Sequence, residues 1–245
     1  MKKRTLTYKF LKFLINIFYK KRTFEGIEKI GEEPVIFAGN HAQIHGPLVA
    51  ELQFPITKRM TWCIGNVLTK KEFIEHAKTD FWGKKSKSIR WFYNILAHLI
   101  APIAVNVFNS ADIIGVYKDH RLMGTFKETV RHLCQGYNII IFPECAEKYN
   151  NIVNEFQDKF IDVARLYYKK TGKCISFVPM YNAVRLKKVL FGNPIKYDPN
   201  INTEELRKII CDHLKTEITN LALSLPSHKV VQYVNEGRKK NPISK

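Results

Sequence analysis

The chain has 245 residues, 45% of them hydrophobic and 25% charged, which is enough for one sizeable α/β domain and ordinary for a globular protein. Forty Lys and Arg against 22 Asp and Glu leave a formal charge of +18, so the expected partner is a polyanion, either an anionic lipid surface or nucleic acid. Five cysteines, odd in number and without a CxxC pair, argue against a disulfide framework and a zinc site and fit a reduced compartment.

Met1-Lys2-Lys3-Arg4 precedes an apolar stretch, but Lys9 and Lys12 interrupt it and no small-residue cleavage site follows, so it does not read as a signal peptide. It is also shorter and more charged than the about 20 apolar residues that span a bilayer. As a helix it places Thr5, Lys9, Lys12, Asn16 and Lys20 on one narrow face, with Leu6, Phe10, Leu11, Phe13, Leu14, Ile15, Ile17 and Phe18 filling the rest. Every basic residue from Lys2 to Arg22 comes before the first acid, Glu25. Residues 1–23 are therefore expected to form an amphipathic membrane-interface helix. The alternative is a terminal helix docked on the protein's own core.

With no internal repeat or Pro/Gly/Ser-rich linker, residues 24–245 are expected to form one domain. Pro34 to Ala38 reads as a buried strand ended by Gly39, and Pro47 to Leu52 as the first turns of a helix. The segment 91–108 is mostly apolar but is interrupted by Asn94, His98, Pro102 and Asn106, which predicts a buried or membrane-facing helix followed by a strand over 103–108. Ile113 to Tyr117 is a further strand. Leu122, Phe126, Val130 and Leu133 recur at helical spacing, with Gly136 placed as a C-cap. The apolar run Ile139 to Phe142 predicts a central parallel strand buried on both faces. An amphipathic helix over 158–169, strands over 176–179 and 189–191, and a closing helix capped by Asn202 complete an α/β pattern. The fold class is α/β, a mixed, largely parallel sheet wrapped by helices.

Reactive groups in open α/β sheets gather at the carboxyl ends of strands. Two strands here end in polar groups, at Asn40-His41 and at Phe142-Pro143-Glu144. A neutral histidine on a strand-to-helix loop makes a good general base because its pKa lies near operating pH. Taken singly, His41 also fits a loop histidine bonding backbone, and Glu144 a helix cap.

Taken in order, these segments resemble the glycerophospholipid acyltransferase family, the lysophosphatidate acyltransferases. Asn40-His41 followed by Pro47-Leu48 is similar to the family's NHxxxxD block and the Pro after it. Ile113 to Lys118 occupies the place of the second block, and Ile141-Phe142-Pro143-Glu144 resembles the start of FPEGTRS. Phe177-Val178-Pro179 and Phe191-Gly192-Asn193-Pro194 stand where the fourth block and the strand after it belong. The resemblance runs from about residue 24 to residue 225. It implies an acyl chain passing from acyl-CoA or acyl carrier protein, as co-substrate with no cofactor, to a hydroxyl of a lysophospholipid-like acceptor. It also implies work at an anionic membrane, peripherally on the cytoplasmic face, with neither metal nor nucleic acid. His41 would be the base, and Asn40, Lys118, Phe142, Pro143, Glu144 and Lys148 would line or hold the substrate.

Two positions depart from the family pattern. Gly46 stands where an aspartate should orient the histidine, which makes the neighbouring His45 the expected substitute. Cys145-Ala146-Glu147-Lys148 replaces Gly-Thr-Arg-Ser, so an acid stands at the phosphate-binding arginine. A membrane-bound pseudoenzyme and, on charge alone, a basic nucleic-acid-binding protein are the competing readings.

Overall fold

The computed structural model describes residues 4–82, 86–147, 151–234 and 242–244. The chain divides into two compact units, a smaller one (Met1–Tyr19 and Trp62–Thr125) and a larger one (Lys20–Thr61 and Phe126–Lys245). The sheet is mixed and largely parallel, with helices flanking the strands.

The larger unit is built on β2 (Val35–Gly39), whose five residues are all buried. It pairs in parallel with β5 (Asn138–Ile141) on one side and β6 (Ser176–Ala183) on the other, in the registers Ala38↔Ile141 and Gly39↔Met180. Both neighbours are apolar runs because both sheet faces are covered; Ile139 and Ile140 are fully buried. Strand β3 (Arg59–Ile64) adds to β5 in parallel. Antiparallel to β6 lie β7 (Lys188–Phe191) and the short β8 (Ile195–Lys196). Strand β1 (Thr23–Glu25) closes that edge parallel to β7. Rings from four segments, Phe24, Phe37, Phe54 and Phe191, interlock with centroid separations between 5.0 and 6.4 Å.

Helix α2 (His45–Leu52) follows β2, and its last carbonyls are met by a buried arginine. Arg59 donates through Nε to Ala50 O at 2.6 Å and through Nη2 to Glu51 O at 2.9 Å. A cation at a helix C-terminus satisfies orphan carbonyls and opposes the helix dipole. The polar start of β3 is thereby explained, and with it why the sequence pattern alone does not announce a strand there. Helix α6 (Asp162–Thr171) ends in left-handed Gly172, and α7 (Thr203–Ser224) buries Leu206, Ile210, Leu214, Ile218 and Ala222 along one face against β6. Asn202 caps α7 as expected, its Oδ1 accepting from Glu204 N at 2.9 Å. Gly136, after α5 (Leu122–Cys134), has φ +78°, the left-handed conformation of a C-cap glycine.

The smaller unit holds α1 (Leu6–Phe18), α3 (Lys70–His76), α4 (Arg90–Ser110) and β4 (Ile113–Val116). Where a helix followed by a strand is expected over 91–108, one continuous helix runs through Pro102. The inward residues Ala97, Ala101, Ala104, Val105 and Phe108 keep helical spacing and pack with Val67, Phe73 and Ala77, and this shared core overrides the strand preference of the β-branched residues. The carbonyl that Pro102 leaves without its helical donor belongs to His98, an exposed residue. Thr5 caps α1 and donates to Asn106 Oδ1 at 2.6 Å, Arg4 pairs with Asp112 at 2.5 Å, and Tyr8 is buried. Helix α1 thus docks on α4 through a narrow strip that includes Tyr8, and Leu6, Phe10, Phe13, Ile17 and Phe18 stay exposed.

Phe37 sits at the centre of the ring cluster, within 5.0 Å of Phe54 and 5.4 Å of Phe191. Phe37→Ala is expected to cost about 3–5 kcal/mol of stability, read as a lower urea midpoint with an unchanged slope.

Candidate active site

Strand β2 delivers Asn40 and His41 to the carboxyl edge of the sheet. Asn40 is buried, and its side chain completes the pairing with β6 where the ladder stops. Its Oδ1 accepts from Asn182 N at 2.7 Å and its Nδ2 donates to Asn182 O at 3.4 Å. The chain then turns through two consecutive non-glycine residues in the left-handed region, Ala42 (φ 47°) and Gln43 (φ 56°). Each such residue costs on the order of 1–3 kcal/mol and persists only where its surroundings hold it. The turn brings the Gln43 carbonyl to 2.5 Å from His41 Nδ1.

Glu144 holds the turn. It lies just beyond β5 and is 1% exposed. Its Oε2 accepts from the His41 backbone N–H at 2.5 Å, and its Oε1 accepts from Asn154 N at 3.0 Å. Cys145 N donates to Glu155 O and Gln157 N to Pro143 O, both at 2.8 Å, so the 143–145 segment is itself clamped by a returning strand-like stretch. Two rings flank the imidazole: Phe142 is tilted against it at 5.5 Å, and Tyr233 lies flat on it at 3.9 Å and 15°.

The chemistry of this arrangement follows from the Nδ1 partner. A carbonyl oxygen only accepts, so Nδ1 carries the hydrogen, and a neutral imidazole then has its lone pair on Nε2. Burial holds the His41 pKa below its ordinary 6.5, and the hydrogen bond to Gln43 offsets part of that. At neutral pH His41 is therefore an uncharged base in a fixed tautomer.

The structure brings Asn40, His41, Phe142 and Glu144 together. It gives Glu144 two backbone amides to hold, whereas contact with an acceptor's polar head is expected from the resemblance. The Gln43 carbonyl stands at Nδ1, where His45 is the expected partner. His45 opens α2, and burial together with the charges of Arg22 and Arg185 lowers its pKa. Gly46 packs so closely that a Cβ there would lie 2.6 Å from His41 O and 2.8 Å from the Phe142 ring, so this backbone has no room for an aspartate at that position. Pro143 is buried, Glu147 is exposed, and Lys118 is exposed in the smaller unit. Lys148 lies outside the described residues. No group of three His, Cys, Asp or Glu suited to a metal ion occurs among the described residues. Gln43, Asn182 and Tyr233 are contributors that no sequence motif signals. A left-handed glutamine has no composition marker, and Tyr233 approaches His41 from near the other end of the chain.

No protein-family profile matches the sequence, and no curated protein matches it. Among solved structures, the crystal structure of the 1-acyl-sn-glycerophosphate (LPA) acyltransferase PlsC from Thermotoga maritima is similar, with a TM-score of 0.48 and 17% identity over 88% of this chain and 78% of that one.

Gly46→Asp, which introduces the carboxylate that the sequence resemblance calls for at this position, is expected to disrupt the site rather than improve it. The measurements are a lowered Tm and a disturbed His41 resonance in NMR spectra. A stable variant with an unperturbed His41 signal would contradict the packing described.

Proposed function

We propose that the protein is an acyltransferase acting on a lysophospholipid-like acceptor, with His41 as its general base. The observation that carries this reading is the imidazole itself. It is half-buried, held below its ordinary pKa and fixed at Nδ1 by a carbonyl, so that Nε2 is the proton acceptor. The block order of the sequence supports the same reaction class. Nε2 takes the proton of the acceptor hydroxyl as its oxygen attacks the thioester carbonyl of acyl-CoA or acyl carrier protein. The ester C–O bond forms, the C–S bond breaks, and the thiolate leaves with the proton from the imidazolium. The carbonyl at Nδ1 orients the ring but brings no negative charge to the developing imidazolium, a weaker arrangement than a histidine–carboxylate pair. Glu147 in place of the family arginine favours an acceptor without a bare phosphate monoester.

The same proposal places the protein peripherally on an anionic membrane at its cytoplasmic face. Within the smaller unit the outer faces of α1 and α4 are apolar. Phe10 and Phe13 of α1 and Trp91, Ile95, Leu99 and Ile103 of α4 are all more than half exposed. The helical stretch Lys87–Ser110 is long and apolar enough to cross a membrane. Exposed Lys9 and Lys20 beside α1, and Lys87 and Arg90 at the start of α4, supply cations near these faces. Each is worth about 1 kcal/mol near an anionic surface.

His41→Ala should lower acyl transfer from acyl-CoA to a lysophospholipid about 10²–10⁴-fold with Tm unchanged, and a folded variant working at the native rate would overturn the assignment. In the wild type, the acid limb of kcat/KM should fall below 6.5, since loss of activity tracks protonation of a histidine whose pKa is lowered. The same sign governs stability. The folded pKa lies below the unfolded one, so this contribution is present above 6.5 and is lost as pH falls through the lowered value. For the membrane, the double variant Ile95→Asp/Leu99→Asp changes exposed positions only. It should keep its Tm and lose sedimentation with phosphatidylglycerol-containing vesicles; undiminished binding would remove α4 from the proposal.

A further inference from the structure

The loop after β2 provides one side of the His41 environment, and the other comes from the far end of the chain. Beyond α7 the backbone returns across the larger unit and is fastened at several points. His228 Nδ1 donates to Pro226 O at 2.8 Å, and its Nε2 accepts from the Tyr181 hydroxyl of β6 at 2.8 Å. Val230, Val231 and Gln232 are buried, and Gln232 Nε2 donates to Asn151 O at 3.4 Å. The next residue is Tyr233, whose ring lies flat on the imidazole, 3.9 Å away and inclined by 15°. Two rings from segments so distant in sequence meet in this way only because both backbones are fixed.

We propose that Tyr233 is a positioning residue for His41, its ring setting the plane of the imidazole and sealing one face of it from water. The consequence for catalysis rests on the reading of His41 as a base; the consequence for the imidazole itself does not. Two effects of a stacked ring oppose one another. Its face attracts a cation, which favours imidazolium, while its bulk excludes water, which favours the neutral form. Burial is the largest influence on His41 and lowers its pKa, and a ring lying flat on the imidazole adds to that burial. Among the described residues, the titratable groups near the ring include Glu144, which engages the His41 backbone N–H from the end of β5, His45 at the start of α2, and the Tyr233 hydroxyl itself. Tyr181, on β6, faces Glu144 and is anchored to His228. The flat stack gives the Tyr233 hydroxyl no part in this role, which belongs to the ring.

NMR titration of the His41 ring protons in the full-length protein, with Tyr233→Ala and Tyr233→Phe beside the wild type, tests this. In the wild type, the His41 Hε1 resonance should show the upfield ring-current shift of a stacked aromatic. Tyr233→Phe should keep both that shift and the lowered titration. Tyr233→Ala should lose the shift and titrate higher, towards 6.5. In an acyl-transfer assay, Tyr233→Ala should lower kcat at pH 7 about ten- to a hundredfold, the scale of a small misplacement of a reacting group, with the acceptor KM little changed and the acid limb moved upward. Absence of the ring-current shift in the wild type overturns the proposal without any variant having to fold. So does a Tyr233→Ala protein that titrates as the wild type does. A protein that shows the shift and the titration but transfers no acyl chain upholds the positioning role while the acyltransferase reading falls.

Discussion

The arrangement around His41 depends on one buried carboxyl. Glu144 takes its place at the end of β5 and accepts from two backbone amides, that of His41 beyond β2 and that of Asn154. The parallel strands β2 and β5 are already in register, but register alone does not decide what the chain does after Gly39. The carboxyl decides it by capturing the first loop amide. Hydrogen bonds to a charged group contribute about 1.5–3 kcal/mol each, and two left-handed residues cost about 1–3 kcal/mol each, so the clamp and the strain are of one size. The turn through Ala42 and Gln43 is therefore affordable where Glu144 is present, and the Gln43 carbonyl reaches the imidazole as a result.

A different logic shapes the smaller unit. Helix α4 turns small residues, Ala97 and Ala101, fully inward and leaves Trp91, Phe92, Ile95, Leu99 and Ile103 exposed. Small inward residues let α3 approach closely, so the unit has a core while several large apolar side chains of α4 remain outside it. Helix α1 repeats the pattern, with Tyr8 and the polar Thr5 and Lys12 turned towards the protein and its phenylalanines turned away. Both helices thus present to their surroundings what most helices hide.

The sheet is largely readable from composition, because a strand covered on both faces is an uninterrupted apolar run, as at 35–39 and 139–141. Gly136 and Asn202 were readable because helix ends have narrow chemical requirements. Beyond Pro102 the β-branched residues of α4 suggest a strand, whereas the spacing of its buried side chains demands a helix. Strand β3 is hidden in the sequence because its first residue is a buried arginine serving another element. At the site, His41 and Glu144 could be picked out as polar groups at strand ends. What Glu144 binds could not, because a carboxylate aimed at backbone leaves no complementary residue in the sequence. Gln43 and Tyr233 were out of reach for related reasons. One acts through its backbone conformation, and the other through a path of the chain that only the folded molecule defines.

The partner of the His41 imidazole is an atom that every amino acid carries. An aspartate in that role can be deleted by a single codon change, and its loss is visible to anyone reading the gene. The Gln43 carbonyl has no codon. Almost any residue able to hold a left-handed φ at position 43 would present the same oxygen, so the contact can survive many changes of its own letter and yet be lost through a change at Glu144, an element away. Inheritance of this half of the site is thus entrusted to a shape, and the mutations that matter to it are recorded at other positions.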